Sequence, residues 1–134
     1  MIYPAETRSV QNARELVLLL DLNFDVKTDQ AIALAGFPRG RFPKDVWNRA
    51  RHCLVVLVGG KKVYVEPVGD IGIKPWPAVV YVPGEVPRDI GVQHDTIGNT
   101  ICFRLNEYVC WLASQEYPFD PDVAKRHLNS HNKL

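Results

Sequence analysis

The chain of 134 residues has few cysteines and almost no surplus of charge. Three cysteines, with no Cys-x-x-Cys pair, do not form a disulfide framework. Sixteen Lys and Arg residues stand against fifteen Asp and Glu, and the net charge of +1 weighs against a broad nucleic-acid-binding surface. The densest basic stretch runs from Arg39 to Arg51 and is interrupted by acids and aromatics, so we interpret it as a solvated face.

Long hydrophobic runs are also absent. The stretch ELVLLLDL is too short for a membrane span of about 20 apolar residues. The N-terminal MIYPAETRSVQ lacks the basic region and apolar core that mark a secretory signal. The four histidines and three cysteines show no metal-ligand spacing. These absences predict a cytoplasmic protein without membrane contact or a metal site.

What is present begins with helix-like signals. Ser9 can cap a helix over about 10–21, because apolar residues then recur at helical spacing. A short helix over QAIALA (30–35), ended by Gly36, and another over KDVWNRA (44–50), begun by Pro43, are expected next. The apolar positions that define the first predicted helix are Val10, Ala13, Leu16, Val17 and Leu20.

From Cys53 onward the pattern favours strands. CLVVLV (53–58), KKVYVE (61–66), PAVVYVP (77–83) and TICFRL (100–105) are β-branched or alternating, with a hairpin signal at Gly59-Gly60. A sixteen-residue loop (84–99) precedes the last of them, and Asp120 caps a final helix over 120–129. We predict one α+β domain (1–134), an antiparallel meander of about four strands with N-terminal helices and a C-terminal helix packed against it. Its expected core includes Leu16, Val17, Leu20, Val55, Leu57, Val80 and Trp111.

Cys102 is the candidate for chemistry. Its neighbours Ile101 and Phe103 are apolar, so strand alternation places the thiol on the opposite face, just after a polar loop. A nucleophilic thiol needs groups that lower its pKa or stabilise an oxyanion, and His94, Asn99 or loop N–H groups are available. The alternative is that Cys102 is a small buried hydrophobe, as free cysteine usually is.

The segment 79–111 resembles the active-site region of ubiquitin-conjugating enzymes. In that family a proline-rich strand end, a His-Pro-Asn tripeptide, a turn, Ile-Cys-Leu and a later tryptophan follow one another. Here VVYVPGEVP (79–87), HDT (94–96), GNTICF (98–103) and Trp111 are similar in order and spacing. Divergent bacterial relatives in antiphage defence islands share little more than this pattern. Thr96 departs from it, because it stands where the family has its oxyanion-stabilising asparagine.

The resemblance implies thioester transfer. Cys102 would accept an acyl group from a protein substrate with an activated C-terminus, possibly a nucleotide cyclase, and pass it to an amine or water. Asn99 and backbone N–H groups of 98–102 would stabilise the oxyanion, and His94 would hold the loop in shape rather than act as a base. The resemblance implies no cofactor.

A non-catalytic module is the competing class. Such a protein would bind a ligand or partner in a pocket lined by aromatic residues, with Cys102 as packing. Exposure of the Cys102 thiol separates the two hypotheses, because a transferase needs an accessible nucleophile. The expected pocket residues are Trp47, Trp76, Trp111, Tyr64 and Tyr81.

Overall fold

The computed structural model describes residues 1–70 and 72–132, with side chains in the last helix described as far as Asn129. These residues form three α-helices and seven strands, with a short 3-10 turn at Arg88–Ile90. In chain order the elements are β1 (Tyr3–Val10), β2 (Glu15–Asp21), β3 (Lys27–Leu34), α1 (Lys44–Val58), β4 (Lys62–Pro67), β5 (Trp76–Pro83), β6 (His94–Ile97), β7 (Thr100–Arg104), α2 (Leu105–Ala113) and α3 (Pro121–Asn132).

The predicted N-terminal helices over 10–21 and 30–35 are wrong, because this part of the chain is an antiparallel meander of β1, β2 and β3. In β2 the side chains of Leu16, Leu18 and Leu20 are buried, whereas Val17 and Leu19 are half-buried. Burial therefore alternates along β2, but the sequence does not show this alternation because the residues on both faces of the strand are apolar. A run that is apolar at every position fits the helical and the strand period equally well.

The sheet closes into a barrel rather than remaining an open meander. Strand β1 pairs with both β2 and β4, and β4 pairs in turn with β5, all antiparallel. Residues 32–34 of β3 then pair in parallel with residues 76–78 of β5, which closes a ring of five strands. The second half of β5 instead pairs with β7, and β6 forms the outer edge beyond it.

The predicted strand over 53–58 is also wrong, because these residues form the last turns of α1. The residues that face the core lie three or four apart, which is the helical period, but they begin upstream of the apolar run. Gly59-Gly60 ends this helix rather than turning a hairpin. A Cβ at Gly59 would lie 2.5 Å from the Val55 carbonyl oxygen, so the chain needs glycine there. The buried residues of α1 are Val46, Ala50, Cys53, Leu54, Leu57 and Val58.

The C-terminal half follows the prediction more closely. Strands over 62–67, 76–83 and 100–104 and the final helix are confirmed, as is the α+β class. The Asp120 carboxylate accepts a hydrogen bond from the Asp122 N–H at 2.9 Å, which caps α3 as expected. Two elements were missed, the short strand β6 inside the predicted loop and the helix α2 after β7.

The core prediction is confirmed for Leu16, Leu20, Leu57 and Val80, all of which are fully buried. It is wrong for Val55, which is 41% exposed because it lies on the solvent side of α1. Val17 and Trp111 are half-buried. Among the helices in the described ranges, none is long and apolar enough to cross a bilayer.

One buried amide, that of Asn106, links α2 to the two strands at which the barrel closes. The Asn106 Oδ1 accepts a hydrogen bond from the Val80 N–H at 2.9 Å. The Asn106 Nδ2 donates to the carbonyl oxygens of Ala35 and Ala78, both at 2.9 Å. Because Ala35 directly follows β3 and Ala78 lies in β5, this side chain bridges the seam at which the barrel closes.

Candidate functional site

Cys102 is fully buried, so the expected exposure of its thiol is wrong. Its Sγ lies 3.7 Å from the Thr100 carbonyl oxygen. Burial, together with the nearby Asp95 carboxylate, raises the pKa of the Cys102 thiol to about 11. A thiol in this state is protonated at neutral pH and is therefore a weak nucleophile.

The structure does not assemble His94 and Asn99 around this thiol. His94 pairs with Phe103 across the β6–β7 ladder, whereas Cys102 pairs with Asp95, so alternation places His94 and Cys102 on opposite faces. The His94 ring contacts the backbone of Val86 and Val92, which is the expected loop-holding position. Asn99 is exposed in the two-residue turn between β6 and β7. The catalytic roles of the three residues remain predictions.

The other two cysteines are also poor nucleophiles. Burial raises the pKa of Cys53 to about 12 and also raises the pKa of Cys110. The half-buried Cys110 places its Sγ 3.3 Å from the Gly36 carbonyl oxygen. Within the described residues, no group of three or more His, Cys, Asp or Glu side chains is placed to hold a metal ion.

The candidate functional site is a cavity of about 580 Å³ at one end of the barrel. Three parts of the fold build it: the β1–β2 turn, the segment that follows β3, and the first half of α1. Of the aromatic residues expected to line a pocket, Trp47 lines this cavity and the other four do not. The lining residues are Gln11, Asn12, Ala13, Arg14, Glu15, Phe37, Pro38, Arg39, Gly40, Trp47, Asn48 and Arg51.

A cluster of aromatic rings forms one wall of this cavity. The half-buried Trp47 packs edge-to-face on Phe42, with ring centroids 5.2 Å apart, and at 5.9 Å from Phe37. Behind them the buried Phe119 stacks on Phe37 with an interplanar angle of 5°. The rings that reach the cavity are therefore supported from behind and held in fixed orientations.

Helix periodicity explains why α1 contributes to both the core and the cavity. Val46 and Ala50 point into the core, whereas Trp47 and Arg51, four residues apart, share the adjacent face of the helix. The β1–β2 turn is fixed by Asn12, whose Oδ1 accepts hydrogen bonds from the N–H groups of Arg14 and Glu15, both at 3.0 Å. A turn of this kind is typical of asparagine and presets the backbone that carries Arg14.

The cavity is positively charged. Arg14, Arg39 and Arg51 line it together with a single acid, Glu15, so its lining carries a net charge of +2 against +1 for the whole chain. All three arginines are exposed, and none forms an ion pair with any described residue. By contrast Arg49, on the same helix, is bound to the Pro118 carbonyl oxygen and stacks on Tyr117 at 4.1 Å.

The sequence contained a signal for this site that its interpretation missed. The basic stretch that begins at Arg39 is solvent-exposed as predicted except at the half-buried Arg49, but two of its arginines face the cavity. The third, Arg14, comes from a distant turn that the predicted helix over 10–21 concealed. Comparisons of the chain with family models, curated protein sequences and solved structures found no match.

Proposed function

We propose that this protein is a binding module for a small anionic ligand that carries a planar ring, and that the ligand is a nucleoside phosphate. The observation that carries the proposal is the convergence of three arginines without ion-pair partners among the described residues on one aromatic-walled cavity. This belongs to the ligand-binding class of the two hypotheses drawn from the sequence.

The arginines supply the anion recognition. A guanidinium presents several N–H donors in one plane and pairs with phosphate oxygens in a two-pronged geometry. Since Arg14 comes from the β1–β2 turn, Arg39 from the segment after β3 and Arg51 from α1, they approach the cavity from three parts of the fold. A single phosphate or a short phosphate chain would satisfy guanidinium donors that have no ion-pair partner among the described residues.

The aromatic wall supplies the ring recognition. Trp47 has one edge fixed by Phe42, and a fixed indole offers a stacking surface without a large loss of side-chain freedom. Stacking of a nucleobase on an aromatic side chain contributes about 1–3 kcal/mol. The Asn48 side chain, the Oε1 of Gln11 and the Nδ2 of Asn12 in the lining are available for hydrogen bonds to base edges or sugar hydroxyls.

The volume and position of the cavity agree with this ligand class. Small-molecule sites commonly enclose about 300–1,000 Å³, and the cavity of about 580 Å³ lies within that range. Five-stranded Greek-key barrels of the oligonucleotide-binding type use the loop between their first two strands for ligand contacts. By analogy with those barrels, the β1–β2 turn lines the cavity here.

Titration calorimetry and tryptophan fluorescence with adenosine monophosphate, adenosine and inorganic phosphate test the proposal. The monophosphate should bind more tightly than either fragment, because only it engages the arginines and the aromatic wall together. Arg39→Gln and Arg51→Gln should each weaken binding by about tenfold or more, since charge-assisted hydrogen bonds contribute about 1.5–3 kcal/mol. The matched control is Arg41→Gln, which removes an exposed arginine that does not line the cavity.

Equal affinity of the Arg39→Gln and Arg41→Gln variants for the monophosphate would contradict a site at this cavity. Absence of binding by all three probes would contradict the nucleoside-phosphate ligand.

The thioester-transfer hypothesis for Cys102, with Asn99 and His94 as partners, stays a prediction that the geometry favours less. A buried thiol whose pKa is about 11 must become exposed before it can attack a carbonyl. Intact-protein mass spectrometry with candidate acyl donors, with and without a reducing agent, tests it directly. A reducible adduct that Cys102→Ser abolishes and Cys110→Ser retains would support it.

A further inference from the structure

The segment between β5 and β6 is fastened by the imidazole of His94. Its Nε2 lies 3.1 Å from the Val86 backbone nitrogen, and its Nδ1 lies 3.1 Å from the Val92 carbonyl oxygen. The side chains of Val86 and Val92 are buried in the core cluster. One ring thus ties both ends of the segment 86–92 to the first residue of β6.

These two contacts determine the protonation state of the ring. The Val86 N–H can only donate, so Nε2 must carry a lone pair. The Val92 carbonyl can only accept, so Nδ1 must carry the proton. The observed geometry therefore requires a neutral imidazole with its proton on Nδ1. In the protonated ring both nitrogens are donors, so an N–H on Nε2 would point at the Val86 N–H.

The charged groups around the ring come from residues 85–88 and from β6. Arg88 disfavours protonation of His94, whereas Glu85 and Asp95 favour it. Asp95 is largely engaged with Arg104, whose Nε lies 2.9 Å from one of its carboxylate oxygens. With burial as the largest cause and Arg88 next, the pKa of His94 lies below its ordinary value.

We propose that His94 is a pH-sensitive latch whose protonation releases the segment 86–92 from the core. Release would withdraw Val86 and Val92 from their packing and uncover the core side of β6 and β7. Because neutral His94 is the bound form, the segment is closed above the ordinary histidine pKa of about 6.5 and opens as the pH falls through the lower pKa of the folded state. This inference does not depend on the proposed ligand.

Hydrogen exchange tests the latch. Exchange of the backbone amides of 85–93 is followed by mass spectrometry from about pH 7.5 to about pH 5, with correction for the intrinsic pH dependence of exchange. Protection of the Val86 amide should fall on the order of tenfold across this range, because its buried N–H loses its acceptor. A parallel NMR titration of the His94 ring should give the same midpoint.

His94→Gln is the informative variant, since a glutamine can accept from the Val86 N–H and donate to the Val92 carbonyl but does not titrate. The amides of its segment 86–92 should stay protected at both ends of the pH range. Because the variant keeps every Asp and Glu residue, this result would assign the pH dependence to His94. His52→Gln is the matched control, because His52 is an exposed residue of α1 and should leave the wild-type pH dependence intact. The latch would be overturned if amide protection of the segment 86–92 in the wild type did not depend on pH. It would also be overturned if the midpoint of the change in protection differed from the titration midpoint of His94.

Discussion

Replacing Asn106 with alanine removes the amide that bridges α2 to both strands of the barrel seam. The largest cost is the Val80 N–H, which is buried and loses its acceptor; an orphaned donor of this kind costs about 1–3 kcal/mol. The two bonds donated by Nδ2 contribute about 0.5–1.5 kcal/mol each. The loss is smaller there because Ala78 still accepts from the Ala35 N–H. We therefore expect Asn106→Ala to lower the free energy of unfolding by about 2–6 kcal/mol.

Urea denaturation followed by circular dichroism measures this change, with Asn99→Ala as the matched control. Asn99 is an exposed turn residue, so its replacement should change stability by about 0.5 kcal/mol or less. Asn106→Asp adds a sharper test, because the carboxylate can accept from Val80 but repels the Ala35 and Ala78 carbonyl oxygens. A loss below about 1 kcal/mol for Asn106→Ala would refute the reasoning, since one orphaned buried donor alone should exceed it.

Three further variants test the packing, the backbone and the thiols. Leu16→Ala should cost about 2–5 kcal/mol in denaturant unfolding because Leu16 is fully buried, whereas Val55→Ala should cost about 0.5 kcal/mol or less; similar values would contradict the burial of Leu16 and the exposure of Val55. Phe24 is 97% exposed and has a φ of 53°, so Phe24→Gly removes no packing and relieves up to about 1 kcal/mol of left-handed backbone strain. The substitution should therefore raise the thermal midpoint of unfolding. In native protein Cys102 should react with a thiol reagent more slowly than the half-buried Cys110, and mass spectrometry showing the reverse order would contradict its burial.

The sequence predicts those elements of the fold in which local signals and tertiary packing agree. Strand β4 alternates, β5 is bracketed by prolines, β7 contains the β-branched pair Thr100-Ile101, and α3 begins with a capping aspartate. It fails where a run is apolar on every side. In β2 the strand pattern is masked, and in α1 the β-branched residues after Cys53 suggest a strand, although helical burial across the core overrides that preference.

The candidate site was predicted less well because its members are distant in the sequence. Arg14 and Arg51 meet at one cavity only because β1, β2 and β3 form a meander that returns the chain to the start of α1. The apolar neighbours Ile101 and Phe103 made Cys102 a candidate nucleophile, and strand alternation correctly predicts that its side chain lies on the face opposite Phe103. Alternation alone does not indicate whether that face is covered, and here the thiol has no exposure.

The closure of the barrel through β3 and β5 has a consequence for how the chain folds. The first three strands are adjacent in the sequence and can pair early, but residues 32–34 find their partners only after α1 and β4 have been formed or brought together. Such non-local pairing requires loop entropy to be lost before the contact stabilises anything, which slows folding. We expect the segment that follows β3, and with it the cavity wall that carries Arg39, to become ordered late, so binding of the proposed ligand during refolding should lag behind the appearance of the first hairpins.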